Sequence, residues 1–178
     1  MASNAGIRIR EAGFMDLDDV VQLIMSRTNG SHEFWVSKLQ SEMDRDDAGV
    51  WVAENAGTII GYGRASYFWP PPSSPDRTAP AGFYLGGLLV SQIYRRQGIG
   101  RDLTRVRLDW IAARASTAWF FSNARNEASL RLHADLGFRE VTRDFIYPGV
   151  EFDGGVGVLC SIQIARRGRT DAREPMSS

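Results

Sequence analysis

The sequence predicts an α/β fold, a mixed sheet with helices on both faces, and three observations lead there. An apolar run ending Leu88-Leu89-Val90 passes through a turn holding Gly98 and Gly100 into a stretch where Leu103, Val106 and Trp110 recur at helical spacing. Two strand-like runs, Val50 to Glu54 and Thr58 to Phe68, flank a short turn as in a hairpin. Strand-like and helical segments then alternate through the second half, an order that layers helices on a sheet.

Each element has a local reason. Ile7-Arg8-Ile9-Arg10 alternates apolar and charged residues, the pattern of a half-buried first strand. Asp16 is placed to cap a helix running to about Thr28, with Asp18 and Asp19 in its first turn and Leu17, Val20, Val21 and Ile24 on one face. Asn29-Gly30 separates it from a second helix, Ser31 to about Asp44, whose apolar positions are Phe34, Trp35, Leu39 and Met43. The hairpin turn is Asn55-Ala56-Gly57, and Gly61 and Gly63 in its second strand mark a bend or a close contact. Trp69 to Pro80 is a proline-rich loop, because proline cannot donate to a strand ladder. A strand from Gly82 to Val90 leads through the glycine turn to a helix ending near Ala115. Ala118 to Ser122 reads as a short buried strand, Glu127 to Leu136 as a helix, and Arg139 to Tyr147 with Val156 to Ile164 as a closing pair of strands. From Arg166 to Ser178 the chain turns polar and charged, so residues 1–165 are expected to form a single domain and 166–178 a disordered tail in which Arg166, Arg167, Arg169 and Arg173 are solvated. No internal repeat is present.

Composition narrows the function. At 178 residues and 43% hydrophobic content the chain is long enough for a substantial core. Its 21 basic and 21 acidic side chains cancel, which argues against a general nucleic-acid binder. Lys38 is the sole lysine, an arginine bias read as genome composition rather than chemistry. A lone Cys160 allows neither an internal disulfide nor a cysteine-rich metal site, and reads as a small buried hydrophobe on a strand. His32 and His133 have no metal-ligand spacing, so no metal is expected. Neither a long apolar span nor a secretory signal pattern is seen, so a cytoplasmic protein without membrane attachment is expected.

The chemistry centres on Arg95-Arg96-Gln97-Gly98-Ile99-Gly100-Arg101. A helix start carries unpaired N–H groups and partial positive charge, and so attracts phosphate. Glycines let the backbone approach that phosphate, and Arg95, Arg96 and Arg101 add full charges suited to a diphosphate.

Two ordered motifs give this stretch a likeness. Arg95-x-x-Gly98-x-Gly100, preceded by Leu88-Leu89-Val90 and Tyr94, resembles the first signature of the GCN5-related N-acetyltransferases (GNAT). Asn126-Glu127-Ala128-Ser129-Leu130-Arg131-Leu132-His133, ending in Gly137-Phe138, resembles the second. The resemblance spans roughly Gly82 to Tyr147. It implies a twisted mixed sheet splayed open at the fourth strand, with acetyl-CoA in the gap. Backbone groups of Leu88 and Val90 would then pair with the pantetheine arm, with Leu89 between them in the cofactor-binding stretch. Backbone N–H groups across Arg96, Gln97, Gly98, Ile99, Gly100 and Arg101 would hold the pyrophosphate beside Arg95. Asn126 would contact the pantetheine near the thioester, with Ser129 beside it, and Asn126 would serve equally well as a helix cap.

The sequence departs from the family at two places. Acyl transfer to an amine needs a neutral nucleophile, and neutralising a lysine-like amine of pKa about 10.4 at pH 7 costs about 4.6 kcal/mol. In much of the family a fourth-strand carboxylate takes that proton; here Gly86 or Gly87 stands at its position. A remote carboxylate such as Glu33 or Asp144, a less basic acceptor, or room for a bulky acceptor would each account for this. The second departure is His133, which stands where the family has a tyrosine held to protonate the leaving thiolate. An imidazole is chemically able to do so, and a packed structural histidine is the plainer alternative. The Leu-His variant resembles small-molecule acetyltransferases. The expectation is therefore an acetyl-CoA-dependent N-acetyltransferase acting on a small-molecule primary amine, with His133 catalytic and a homodimer as the family would imply. A protein N-terminal or lysine acetyltransferase, and a non-catalytic CoA-binding module, are the alternatives. Phe34, Trp35, Tyr67 and Phe68 are candidates to line an acceptor pocket or to pack the core, and Trp69 to be an acceptor-site lid, a contact to a second subunit or part of a rigid exposed loop.

Overall fold

The computed structural model describes residues 6–152 and 154–165, so the expected tail lies outside the described residues. The elements are β1 (Ile7–Glu11), α1 (Leu17–Met25), α2 (His32–Met43), β2 (Ala48–Asn55), β3 (Thr58–Phe68), β4 (Gly82–Val90), α3 (Ile99–Ala112), β5 (Thr117–Asn123), α4 (Glu127–Asp135), β6 (Arg139–Thr142) and β7 (Gly157–Gln163). They form one mixed 7-stranded sheet in the order β1-β2-β3-β4-β5-β7-β6. Neighbours are antiparallel throughout except β4 and β5, which run parallel.

Strand alternation distributes the two faces. Val50 and Val52 of β2 pack with Leu17, Val20, Val21 and Ile24 of α1 and Leu39 of α2. Trp51 and Ala53 face the other way, onto Leu103 and Ile111 of α3 with Phe83, Leu85 and Phe120. Each fully buried aliphatic or aromatic side chain contributes about 1.5–3 kcal/mol of burial. Helices thus cover both faces, as the sequence predicts.

Several boundaries differ from the expectation for identifiable reasons. Asp16 does not cap α1 through its side chain. Its two oxygens accept from Arg10 at 2.6 and 2.8 Å and one also accepts from the Gly13 N–H at 2.7 Å, closing a short 3-10 turn ahead of the helix. Ser31 does cap α2, its hydroxyl accepting from the Phe34 N–H at 3.2 Å. The hairpin turn is two residues, Ala56 and Gly57, both at positive φ, and Asn55 pairs with Thr58. β6 ends at Thr142 rather than Tyr147, because the Thr142 hydroxyl accepts from the Asp144 N–H at 3.0 Å and turns the chain. Beyond that turn the chain lies against the β3–β4 loop: Ala79 N–H donates to the Ile146 carbonyl at 2.8 Å and Ile146 N–H to that of Arg77 at 2.9 Å. Tyr147 there packs against Phe68, Tyr84 and Phe121.

Candidate active site

The sheet opens at one place. β4 and β5 pair only through Phe83, Tyr84 and Leu85 against Ala118, Trp119 and Phe120. From Gly86 to Val90 the β5-facing edge of β4 carries no ladder, and these residues are half-buried. Gly87 has φ +57, a left-handed turn that redirects the strand. Beneath it lies Arg107 of α3, which is 0% exposed. Its Nη1 donates to the Gly86 carbonyl at 3.1 Å and the Arg64 carbonyl at 3.0 Å, its Nε to the Leu103 carbonyl at 2.9 Å, and its Nη2 to the Thr104 hydroxyl at 3.0 Å. Burial lowers its pKa to about 9, so the guanidinium stays charged at neutral pH. Gly63 leaves the room: a Cβ there would sit 2.9 Å from Arg107 Cζ, and the β3–β4 register shifts around it. The close contact expected at Gly63 is therefore with Arg107.

The anion cradle lies at the far end of the opening. α3 begins at Ile99 with Gly98 as its cap, φ +85, and no side chain caps it. The first intrahelical N–H bond is that of Asp102 to the Gly98 carbonyl at 3.0 Å. The N–H groups of Ile99, Gly100 and Arg101 consequently have no acceptor within the helix. Nothing lies within 4 Å of a Cβ built on Gly98, so the cradle mouth is open. Arg95 and Arg96 are exposed beside it, Arg96 at positive φ and Arg95 donating to the Val90 carbonyl at 3.2 Å. Gln97 is half-buried, its side-chain amide donating to the Ile93 carbonyl at 3.4 Å. An open strand edge ending at an uncapped helix start fits an elongated ligand with a diphosphate, as in acetyl-CoA.

Both sequence motifs meet here. A Cβ on Gly100 would touch Leu132 of α4 at 3.5 Å and Leu88 at 3.8 Å, and Arg101 pairs with Asp135 at 3.5 Å. Asn126 caps α4, its Oδ1 accepting from the Ser129 N–H at 3.3 Å. His133 is 2% exposed and stacks on Phe120 with ring centroids 3.5 Å apart. Its Nδ1 faces the Ser129 carbonyl at 2.8 Å, so Nδ1 carries the proton and Nε2, buried without a partner, is an acceptor. Burial lowers its pKa to about 4, so the ring is neutral at pH 7. Held this way, His133 has no proton on Nε2 to give to a thiolate.

Beside the two glycines of β4 lie residues that the sequence reading does not single out. Glu42, on the buried stripe of α2 beside Leu39, is 8% exposed. Its Oε1 accepts from Arg64 Nη1 at 2.5 Å, while its Oε2 is buried without a partner. The Arg64 guanidinium lies against the two glycines of β4: a Cβ on Gly86 would be 3.4 Å from its Cζ, and one on Gly87 3.1 Å from its Nε and 2.7 Å from the Tyr62 hydroxyl. Burial raises the Tyr62 pKa to about 12 and also raises that of Tyr147, which feels the charges of both Arg64 and Glu42. A charged residue at i+3 from a buried leucine was the signal available. Glu33 and Asp144 are both exposed, Asp144 pairing with Arg77. Phe34 and Trp69 are 55% and 69% exposed. Cys160 is buried, and burial raises its thiol pKa.

A splayed sheet whose open strand edge runs into an uncapped helix start defines the acyl-CoA N-acyltransferase architecture. The chain belongs to the GNAT acetyltransferase family, whose model matches residues 16–138. It is an N-acetyltransferase that draws on acetyl-CoA. Among solved structures it is similar to the ribosomal-protein-S18-alanine N-acetyltransferase from Escherichia coli, at 19% identity and TM-score 0.66, covering 92% of this chain and 97% of that one. It is similar as well to the aminoglycoside 6'-N-acetyltransferase AAC(6')-IG from Acinetobacter haemolyticus, at 21% identity, TM-score 0.66 and coverage of 82% and 99%. The aminoglycoside N-acetyltransferase AAC(6')-Iy in complex with CoA gives 20% identity, TM-score 0.69 and coverage of 79% and 93%. At these identities the likeness shows the fold. A comparison with curated proteins gives no match. Among the described residues no group of three potential metal ligands is present, and no helix is long and apolar enough to cross a membrane.

Proposed function

We propose that this chain transfers the acetyl group of acetyl-CoA to a primary amine of a small molecule. When bound, acetyl-CoA supplies an activated acetyl thioester. The open β4 edge at Leu88, Leu89 and Val90 hydrogen-bonds its pantetheine arm as a further strand would. The N–H groups from Gly98 to Arg101 take the pyrophosphate, with Arg95, Arg96 and Gln97 at the rim. Asn126 and Ser129 at the start of α4 flank the thioester end. His133 holds Ser129 through its carbonyl and supports the wall of the site by stacking on Phe120; no proton step is assigned to it.

The observation that carries the small-molecule reading is that the β3–β4 loop and the chain after β6 are joined. The β3–β4 loop and the chain after β6 are hydrogen-bonded to each other at Arg77, Ala79 and Ile146, and Tyr147 packs onto Phe68 with centroids 4.5 Å apart. The two segments thus meet over Tyr84, Phe121 and Leu159 of the sheet, and a cover there leaves less room for an extended peptide than for a small amine. The test is release of free CoA from acetyl-CoA with phenethylamine, spermidine, kanamycin and an alanyl peptide in parallel. Turnover on the small amines and not on the peptide supports the reading. Preference for the peptide replaces it with a protein acetyltransferase, and CoA binding without turnover on any of these amines overturns it.

A further inference from the structure

The strand position that would supply a base holds Gly86 and Gly87, yet the reaction still has to remove a proton from a cationic amine. A carboxylate on another element is linked to that place through an arginine. Glu42 of α2 has a side chain nine-tenths buried, and its Oε1 accepts from Arg64 Nη1. The Arg64 guanidinium spans from Glu42 to the side of β4 that Gly86 and Gly87 leave bare. A buried carboxylate oxygen with no donor is costly, on the order of 1–3 kcal/mol or more for a charged group. Oε2 is such an atom. A stability role explains Oε1, which has its arginine, and leaves Oε2 unexplained. A ligand ammonium brings the missing donor.

Resting on the small-amine reading, we propose that Glu42 is the acceptor-side catalytic residue of this enzyme: Oε2 receives the ammonium of the acceptor, directly or across one water, and takes its proton, with Arg64 fixing the carboxylate. The step balances. One proton passes from the ammonium to Oε2, the freed nitrogen forms the C–N bond as the C–S bond breaks, and the second N–H proton leaves the N-protonated amide through water to the departing thiolate. Glu42 then returns its proton to solvent. Arg64 on β3 pairs with Glu42, and Tyr62 on β3 and Tyr147 after β6 feel its charge; Arg107 acts on that Tyr62 and Arg45 on that Tyr147. The implied acceptor is a primary alkylamine, cationic at neutral pH, rather than an arylamine or an alcohol.

Glu42→Gln keeps the size of the side chain and an acceptor for Arg64, so it isolates the chemistry. CoA release with the most active amine of the panel is measured for the native chain, Glu42→Gln and Glu42→Asp, beside calorimetric CoA binding. The expected result for Glu42→Gln is a kcat loss of about 100-fold at pH 7 with unchanged CoA affinity, the deficit shrinking towards the pKa of the amine as free base becomes abundant. Glu42→Asp, which keeps a carboxylate, retains more activity than Glu42→Gln. Turnover by Glu42→Gln within twofold of native, or a parallel loss of CoA binding, overturns the proposal. If no amine turns over on the native protein, the small-amine reading fails by that result alone. Glu42 is then judged by titrating methylammonium into the CoA-bound protein while following 13C-labelled glutamate carboxyl signals, assigned with Glu42→Gln. A saturable shift of the Glu42 signal supports its ammonium site, and no shift overturns it.

Discussion

The proposed cofactor side of the splay is nearly contiguous in sequence, Leu88 to Arg101 and Asn126 to His133, whereas the acceptor side gathers Glu42, Tyr62, Arg64 and Tyr147 from separate segments. The difference follows from what each side must bind. Diphosphate and pantetheine are met by backbone, so the requirement falls on glycine, on a helix start and on an unpaired strand edge, all of which leave a local signature. On the proposed reading an amine is met by side chains whose positions depend on how α2 and the chain after β6 pack against β3. Arg107 joins the two sides, bonding the carbonyls of both Arg64 and Gly86.

The largest expected effect breaks the cofactor side alone. Gly98→Asp places a carboxylate at the open cap of α3, where nothing obstructs a Cβ and Asp tolerates the left-handed backbone. It competes for the same N–H groups and repels the diphosphate by about 4 kcal/mol at an effective dielectric of about 20. CoA affinity by calorimetry should fall about 1,000-fold, while a non-glycine residue at φ +85 lowers stability by about 1 kcal/mol. A variant that binds CoA normally would place the diphosphate elsewhere.

Next comes His133, whose folded-state pKa of about 4 lies below the ordinary 6.5. The unfolded chain binds the extra proton first, so the stability contributed by the neutral ring is complete above about pH 6.5 and is lost as pH falls towards 4. The loss approaches about 3 kcal/mol. Denaturant unfolding between pH 7 and 4 should show this slope in the native chain and a shallower one in His133→Gln. Equal slopes would mean that the ring is not buried as described.

A smaller effect is expected at the junction of the two sides. Gly63→Ala drives a Cβ to 2.9 Å from Arg107 Cζ, and displacing that guanidinium should cost about 2 kcal/mol by unfolding, within the usual range for overpacking. Turnover should fall along with stability, since the Arg64 and Gly86 carbonyls share the same donor. The smallest effect is that of Gly100→Ala, whose Cβ would make ordinary contacts with Leu132 and Leu88 rather than enter the cradle. Stability should change by less than about 1 kcal/mol, and CoA affinity by less than about threefold. A large affinity loss in this variant would place CoA on the inner side of the helix start.

The same contrast explains what was legible in the sequence. The Gly82–Val90 strand was read at its observed bounds because an apolar run and a glycine turn delimit it locally. Leu17, Val20, Val21 and Ile24 were read as one face and are all buried, helical periodicity being a local property. Phe34 is expected on the apolar face of α2 and is exposed, while Glu42, which the sequence reading does not single out, is buried. The reason is the same in both cases: the helix turns its side towards Arg64, and that partner lies 22 positions away. Arg107 gave no sign either, since a charged residue on an amphipathic helix ordinarily faces water. Gly63 was its trace, visible as a strand glycine without a visible cause.

The central claim is that acetyl-CoA lies along β4 and ends at the start of α3. Amide hydrogen exchange with and without CoA tests it most directly, because the N–H groups concerned lack partners in the helix and on the β5-facing edge. The account predicts new protection at Ile99, Gly100 and Arg101 and along Leu88 to Val90, with little change in α1 and α2. CoA binding that protects other segments and leaves these unchanged would contradict it.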